Sequence, residues 1–138
     1  MNGLLFDTHI WFWAQRNELS HFTREFVQEA EHRQALGEVF LSAISILELA
    51  RLVADGVYTI ADTVDEFVAT ALSDGGLRLV ELSPQILIES TRLPGTFHRD
   101  PADRLLVATA REHNLTLITV DRDILAYATR GHLRARKP

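Results

Sequence analysis

The stretch HRDPADRLLVATAREHNLTLITVD, residues 98–121, is the most informative part of this 138-residue chain. Asp100 followed by Pro101 is a helix cap with proline at the first helical position, and Asn114 is a typical helix end. The apolar run LTLITV then predicts a buried strand that stops beside Asp121. The stretch therefore predicts a helix followed by a strand, which is the repeating unit of an α/β fold.

The rest of the chain continues this alternation. Short apolar or β-prone runs predict strands at residues 3–7, 38–42, 77–82 and 115–120, and the tail predicts a fifth, edge strand. Helical periodicity and caps predict helices at residues 9–16, 20–34, 43–55, 64–72, 83–92, 100–113 and 121–129. The alternation predicts one domain, residues 1–138, with a mostly parallel sheet of four to five strands covered by helices on both faces.

Composition limits the classes of function. Hydrophobic residues make up 46% of the chain, which is typical of a globular protein, and the absence of cysteine excludes disulfides, thiolate zinc sites and a catalytic thiol. We expect no membrane span and no signal peptide, which suits a cytoplasmic protein. The net charge of −5 argues weakly against nucleic acid, although the basic tail from Arg130 to Lys137 is either a solvated terminus or a phosphate or partner contact.

Two acidic residues follow the two most apolar strands. Asp7 ends the first strand, and Asp121 lies just past the fourth. Ligands of parallel sheets bind outside the carboxyl ends of the strands. Either acid alone could be a helix N-cap, but two acids at the same edge of neighbouring central strands predict a shared site.

Glu48 lies inside a predicted helix and interrupts its apolar face, between Ile44 and Leu52 at helical spacing. Burial of an unpaired carboxylate costs roughly several kcal/mol of folding free energy unless a positive charge lies beside it. Either Arg51 or a metal ion could supply that charge.

Asp103 raises the same question near the start of another helix. As the third helical residue it suits a capping box and the helix dipole. It also aligns with the apolar face formed by Leu106, Val107 and Ala110, so we expect it to point toward the sheet. Asp100 is then the structural cap and Asp103 the candidate metal ligand.

Carboxylates and hydroxyls are hard oxygen ligands, a set that suits Mg²⁺ or Mn²⁺ rather than zinc. The six histidines show no metal-ligand spacing, which argues against a histidine-rich zinc site. Acids packed together repel one another, and a bound cation removes that repulsion. The four acids Asp7, Glu48, Asp103 and Asp121 therefore predict a divalent metal site.

The same residues, in this order, resemble a known family. The stretches LLFDTHIWFWA, LSAISILELARLVADG, HRDPADRLLVATAREHNLTLIT and TVDRDI are similar to those of PIN domains, and specifically of VapC-type toxins from bacterial type II toxin–antitoxin pairs. Together they span the chain nearly end to end. The resemblance implies a PIN-like three-layer α/β/α sandwich and a Mg²⁺- or Mn²⁺-dependent endoribonuclease.

The resemblance also assigns residues and partners. It makes Asp7, Glu48, Asp103 and Asp121 the catalytic and metal-binding acids, with Thr8, Ser45, Thr119 and Asp123 as supporting residues. Its substrate is RNA, its partner is a cognate antitoxin that covers the site, and it forms homodimers or larger assemblies with the antitoxin. The net negative charge departs from what a free RNA binder would prefer.

Arginines and aromatic residues flank the acids. Arg99, Arg104 and Arg122 could contact RNA phosphates or pair with the acids, and His9 and His98 are RNA contacts or hydrogen-bonding neighbours. Trp11, Phe12 and Trp13 cannot all face inward from one helix. The exposed member stacks on a base, or joins a dimer or antitoxin groove with Val53, Val57 and Tyr58, or the helix is a core helix with a single exposed ring.

Three other functions fit parts of the pattern. A PIN-domain nuclease of RNA processing shares all of the chemistry. A non-catalytic interaction module, whose acids are caps and salt bridges, predicts no effect of metal on stability. An aspartyl-phosphate enzyme with Asp7 as nucleophile would want an acid two residues later, where this chain has His9, and a lysine in the site.

Overall fold

Five parallel strands form the centre of the fold in the computed structural model, which describes residues 3–138. The strands are β1 Leu4–Phe6, β2 Val39–Ser42, β3 Arg78–Val80, β4 Thr116–Ile118 and β5 Arg134–Arg136. They lie in the order β3-β2-β1-β4-β5, and every neighbouring pair is parallel. The predicted parallel sheet is confirmed, and the tail supplies its fifth strand at one edge.

Helices connect the strands. They are α1 Thr8–Gln15, α2 Arg24–Ala35, α3 Ala43–Ala54, α4 Val64–Ala71, α5 Pro84–Glu89, α6 Pro101–His113 and α7 Arg122–Thr129, with a short 3₁₀ helix at Leu19–His21 before α2. Each predicted helix is present, with ends that differ by a few residues. No helix within residues 3–138 combines the length and the apolar character needed to cross a bilayer.

Local capping explains where the helices begin and end. The hydroxyl of Thr23 accepts the N–H of Phe26 at the start of α2, and Asp100 accepts the N–H of Asp103 at the start of α6. Helix α6 ends at Asn114, whose φ of 55° is in the left-handed region that asparagine tolerates better than most residues. These residues are the capping signals that the sequence carries.

The two faces of the sheet are covered by separate apolar clusters. Leu4 and Phe6 of β1 face a cluster formed mainly by α1, α2, α4 and the middle of α3, whereas Leu5 faces a cluster formed mainly by α5, α6 and α7. The alternation follows from the two-residue period of a strand. Helix α3 takes part in both clusters, through Leu49 and Ile44 respectively. The result is the predicted three-layer α/β/α sandwich.

The aromatic run of α1 belongs largely to the core. Trp11 and Phe12 are buried, and Trp13 is half-buried. The rings of Phe12 and Tyr58 stack with centroids 4.1 Å apart, and those of Trp13 and His21 stack at 3.8 Å. Helix α4 and the segment around Tyr58 cover Trp11 and Phe12, so only Trp13 is partly exposed, as the alternative of a core helix with a single exposed ring predicts.

Candidate metal centre

The carboxyl ends of β1 and β4 lie side by side. These strands pair in the register Phe6 with Ile118, and the N–H of Asp7 donates to the carbonyl of Ile118 at 3.0 Å. Asp7 directly follows β1, and Asp121 follows β4 after two residues. The fold therefore brings both strand-end acids to one edge of the sheet, as their positions in the sequence predict.

Asp7 is a buried carboxylate that other groups position closely. One carboxylate oxygen, Oδ1, accepts the N–H of Thr8 at 2.7 Å and so caps α1. The other, Oδ2, accepts the hydroxyl of Thr119 at 2.6 Å. That same hydroxyl oxygen accepts the N–H of Asp121 at 3.0 Å. Burial raises the pKa of Asp7 above its ordinary value, although the two hydrogen bonds oppose that effect.

Glu48 reaches the same edge from α3. The hydroxyl of Thr8 donates to Glu48 Oε1 at 2.5 Å, and the hydroxyl oxygens of Thr8 and Ser45 are 2.9 Å apart. Burial raises the pKa of Glu48, and the nearby charge of Asp7 adds to the increase. Among the described residues Glu48 forms no ion pair with Arg51, so the simpler explanation of its position does not apply.

Asp103 projects into the site from the first turn of α6. Asp100 is the N-cap, because its Oδ2 accepts the N–H of Asp103 at 3.0 Å, and this leaves the side chain of Asp103 free of a capping role. Burial, followed by the charges of Asp121 and other nearby acids, raises the pKa of Asp103 to about 7. In the metal-free protein the Asp103 carboxyl group therefore binds its proton up to neutral pH.

Asp121 combines two roles that the sequence left as alternatives. Its Oδ1 accepts the N–H of Ile124 at 3.0 Å and caps α7. Ligand atoms of Asp121, Asp103 and His98 also lie within 4.8 Å of one another. Asp123 is different, since its side chain is 73% exposed and approaches the site only through His98 Nε2, at 3.7 Å.

The site acids share one cavity of about 300 Å³. Its lining consists of Asp7, Thr8, His9, Trp13, Glu48, Leu52, Asp103, Val120 and Asp121. All four predicted acids are in this set, and the predicted supporting residues Ser45 and Thr119 contact it through hydrogen bonds to Thr8 and Asp7. Residues that are distant in sequence therefore converge on one concave surface.

The donor set fits a divalent cation. Carboxylate and hydroxyl oxygens surround the cavity, and oxygen is the ligand type that Mg²⁺ and Mn²⁺ prefer. Within residues 3–138, no arginine or lysine forms an ion pair with any of the four acids. Three of these acids have raised pKa values, with burial as the largest cause. A positive charge is what this arrangement lacks.

The predicted arginines differ in what they contact. Arg104 donates through Nε to the carbonyl of Ser90 at 2.7 Å, and through Nη1 to the carbonyls of Phe97 and His98 at 3.0 and 3.1 Å. In the structure Arg104 therefore forms no ion pair with the four acids, and its contact with RNA phosphate stays a prediction. The guanidinium group instead binds these three backbone carbonyls.

Arg99 and Arg122 remain available for substrate. Both are exposed, and neither side chain forms a hydrogen bond or an ion pair with another residue of the part of the chain that the structure describes. They flank Asp100 and Asp121 in the sequence, so their side chains start close to the acidic cavity. Their surroundings are compatible with the predicted contacts to RNA phosphates, which stay a prediction.

His98 is the residue that sequence reasoning undervalued. Its Nε2 lies 3.2 Å from Asp103 Oδ2, although the alignment is not that of a hydrogen bond. A lone histidine in a loop carries no periodic signal, and only its position two residues before the α6 cap placed it near the site. Its contact with Asp103 depends on the path of the loop, which no local pattern predicts.

The chain is similar in sequence and in fold to known proteins. The chain is 31% identical over 129 residues to "Ribonuclease VapC22" of Mycobacterium tuberculosis, covering 92% of this chain and 93% of that protein. A crystal structure of VapBC2 from Rickettsia felis bound to a promoter DNA fragment has a similar fold, with a TM-score of 0.71, 17% identity and 98% of each chain covered. DNA-bound VapBC from Salmonella typhimurium gives a TM-score of 0.67 at 16% identity, covering 99% of this chain and 98% of that one. The PIN domain family profile matches residues 4–130, and this chain therefore belongs to the PIN domain family.

Proposed function

We propose that this protein is a Mg²⁺- or Mn²⁺-dependent endoribonuclease that acts as the toxin of a toxin–antitoxin pair. The observation that carries the proposal is the convergence of Asp7, Glu48, Asp103 and Asp121 on one cavity whose described lining includes no arginine or lysine. The likeness to a ribonuclease named VapC22 over nearly the whole chain supports RNA as the substrate.

The residues divide the chemical work between them. A bound Mg²⁺ or Mn²⁺ would polarise the phosphodiester and stabilise the charge that develops on it. Asp7, Glu48, Asp103 and Asp121 supply the oxygen atoms that would hold the ion. An acid of the site, Asp103 or Asp121, would accept the proton of the attacking water. Thr119 keeps Asp7 in place, and the exposed Arg99 and Arg122 bind the phosphates that flank the cleaved bond.

Hydrolysis by a water molecule fixes the products. Attack by water in line with the leaving 3′ oxygen gives a 5′-phosphate and a 3′-hydroxyl. Attack by the neighbouring 2′-hydroxyl of RNA would instead leave a 2′,3′-cyclic phosphate. End-group analysis of the products therefore separates the two mechanisms, and a cyclic phosphate would overturn the proposed one.

We expect the substitution Asp7→Asn to lower the rate of RNA cleavage at least about 100-fold, because it removes one anionic ligand while keeping the shape of the side chain. The matched control is Asp65→Asn, which changes an exposed acid on α4 and should leave activity unchanged. Cleavage of a labelled RNA is measured with Mg²⁺, with Mn²⁺ and with a chelator. Full activity in the chelator, or in Asp7→Asn, would contradict metal-dependent hydrolysis.

An antitoxin is the protein partner that fits the surface beside the acids. A second cavity of about 580 Å³ shares His9, Glu48 and Leu52 with the acidic one, and Leu47 on its wall is 49% exposed. A partner segment with an apolar side chain on Leu47 and a basic one near Glu48 would cover the acids. The two solved structures named above, from Rickettsia felis and Salmonella typhimurium, are VapBC complexes.

Co-expression with the product of the neighbouring gene tests this partner. We expect a stable complex, measured by light scattering, in which RNA cleavage is suppressed and a homodimer of this chain persists. The change Leu47→Asp should weaken the complex without reducing cleavage by the free enzyme, since Leu47 lies outside the acidic cavity. If the product of the neighbouring gene neither binds this chain nor suppresses its RNA cleavage, a nuclease of RNA processing would be favoured instead.

A further inference from the structure

His98 lies at the acidic cavity with one ring nitrogen unsatisfied. Its Nε2 is 3.2 Å from Asp103 Oδ2 and 3.7 Å from Asp123 Oδ2. This nitrogen is itself buried, yet it has no aligned hydrogen-bond partner among residues 3–138. Buried polar atoms are normally paired, and those that are not frequently occur at functional sites. The unpaired ring nitrogen of His98 therefore indicates a role at the site.

The hydrogen bond to the other ring nitrogen defines the tautomer of the neutral ring. The backbone N–H of Asp100 donates to His98 Nδ1 at 3.2 Å. A ring nitrogen that accepts a hydrogen bond carries no proton, so the neutral ring holds its proton on Nε2. In this tautomer Nε2 is a donor that faces Asp103. It has no lone pair to offer a metal ion, although its distance from Asp103 and Asp121 would otherwise suit a ligand.

The ring is held in place by its own loop. Arg104 donates to the carbonyls of both His98 and Phe97, and the rings of His98 and Phe97 lie with centroids 4.3 Å apart. Phe97 in turn packs on Tyr127 of α7, at 4.9 Å between centroids. The imidazole is thus anchored to the core before any ligand arrives, which is the requirement for a residue that orients another.

We propose that His98 is a positioning residue for Asp103: when the carboxylate turns to bind the ion, the Nε2–H, 3.2 Å away, becomes the donor to Asp103 Oδ2, so that the second oxygen of this carboxylate is presented to the metal site. Outer-shell donors of this kind orient ligands, and their loss typically lowers metal affinity or activity about 10- to 100-fold. Asp123 Oδ2, at 3.7 Å, is the second carboxylate oxygen near this nitrogen. The inference rests on the proposed metal site, but not on the identity of the substrate.

Two isosteric substitutions separate the two nitrogens of the ring. In His98→Asn the amide oxygen can replace Nδ1 as the acceptor for the N–H of Asp100, whereas the donor at Nε2 is lost. In His98→Gln the amide nitrogen reaches the place of Nε2 and keeps a donor for Asp103, whereas the acceptor for Asp100 is lost. Mn²⁺ affinity is measured by titration calorimetry, melting temperature without metal by calorimetry, and kcat and KM on a short RNA.

We expect His98→Asn to keep the metal-free melting temperature and to lose Mn²⁺ affinity and kcat about 10- to 100-fold. His98→Gln should keep Mn²⁺ affinity within about threefold of the wild type, despite a lower melting temperature. Equal losses in both variants would show that the donor is not what matters, and wild-type affinity in His98→Asn would overturn the proposal. If the wild type binds Mn²⁺ but cleaves no RNA, the proposed substrate fails while the affinity comparison still decides the role of His98.

Nitrogen NMR of the wild-type protein labelled in histidine needs no variant. At pH 8 the metal-free protein should show the proton of His98 on Nε2, and it should stay there when Mg²⁺ is added. Transfer of that proton to Nδ1, or its loss on addition of Mg²⁺, would make His98 a direct ligand and overturn the positioning role. A proton on Nδ1 in the metal-free protein would contradict the tautomer from which the role is inferred.

Discussion

Asp103 is the residue at which burial and function are most clearly opposed. Its pKa of about 7 in the folded chain exceeds the ordinary value of 3.8, with burial as the main cause. Between these two pH values the folded protein binds more protons than the unfolded one, so the free energy of unfolding falls as the pH rises. Below the lower value both states are protonated and the penalty is absent. Asp103 therefore destabilises the metal-free protein at neutral and alkaline pH.

We expect Asp103→Asn to stabilise the metal-free protein at pH 8 by on the order of 2–4 kcal/mol. A shift in pKa from 3.8 to about 7 corresponds to about 4.5 kcal/mol, and solvent screening of this partly buried group lowers that figure. The gain should shrink steadily toward pH 4. Urea unfolding at several pH values measures it, with Asp65→Asn as the control, since that acid is exposed on α4. A gain that does not depend on pH would mean that the amide acts through packing, and no gain at pH 8 would mean that the carboxylate is not destabilised.

At the scale of helices and strands, the sequence predicted those features whose cause is local. Strand ends, the proline after Asp100 and the left-handed residue Asn114 are all readable from neighbouring residues. The alternation of strands with helices placed Asp7 and Asp121 at one edge. The contact of Thr8 with Glu48 joins residues 40 positions apart, and those of Arg104 with backbone carbonyls join residues 6 to 14 positions apart. Both depend on the tertiary path of the chain.

The aromatic residues of α1 illustrate the same limit. Adjacent positions on an isolated helix point in different directions, which suggested an exposed ring. Phe12 is nevertheless buried, because Tyr58 and Phe67 come from later segments to cover it. Helical periodicity describes which side chains share a face, but it contains no information on how many other elements surround that helix.

Arg104 links helix α6 to the loop that carries His98. We expect Arg104→Ala to lower the free energy of unfolding by about 2–4 kcal/mol, because it leaves three loop carbonyls without their donor at a partly buried position. It should also weaken Mn²⁺ binding, since the loop positions the ring beside Asp103. Urea unfolding and titration calorimetry measure the two effects.

Arg99→Ala is the matched control for that loop. Arg99 is exposed and forms no hydrogen bond within the described residues, so its removal should change stability by no more than about 0.5 kcal/mol. If Arg99 binds RNA phosphate, the same variant should raise KM and leave kcat nearly unchanged. Equal destabilisation by the two variants would contradict the structural role of Arg104.

At the scale of the whole molecule, the edge strand β5 supports the acidic site through a contact with the segment that follows β4. The carbonyl of Arg136 in β5 accepts the N–H of Thr119, and the hydroxyl of Thr119 contacts both Asp7 and Asp121. Arg136 also pairs with Glu29 of α2 through its side chain, at 2.6 Å. The C-terminal strand is thus connected to the acids by one residue, and the tail has a structural role whether or not its charges meet RNA.

Metal binding should accordingly be visible in the stability of the entire fold. A ligand that binds only the folded state at 100 times its Kd adds about 2.7 kcal/mol, which for a domain of this size is a rise in Tm of roughly 10 °C. We expect this rise with Mn²⁺ at pH 8, and a smaller one at pH 5.5, where protons compete for Asp103. Asp7→Asn and Glu48→Gln should lose most of it, and Asp65→Asn none. An equal rise in all four proteins would place the ion elsewhere, and no rise in the wild type would favour an interaction module whose acids are caps.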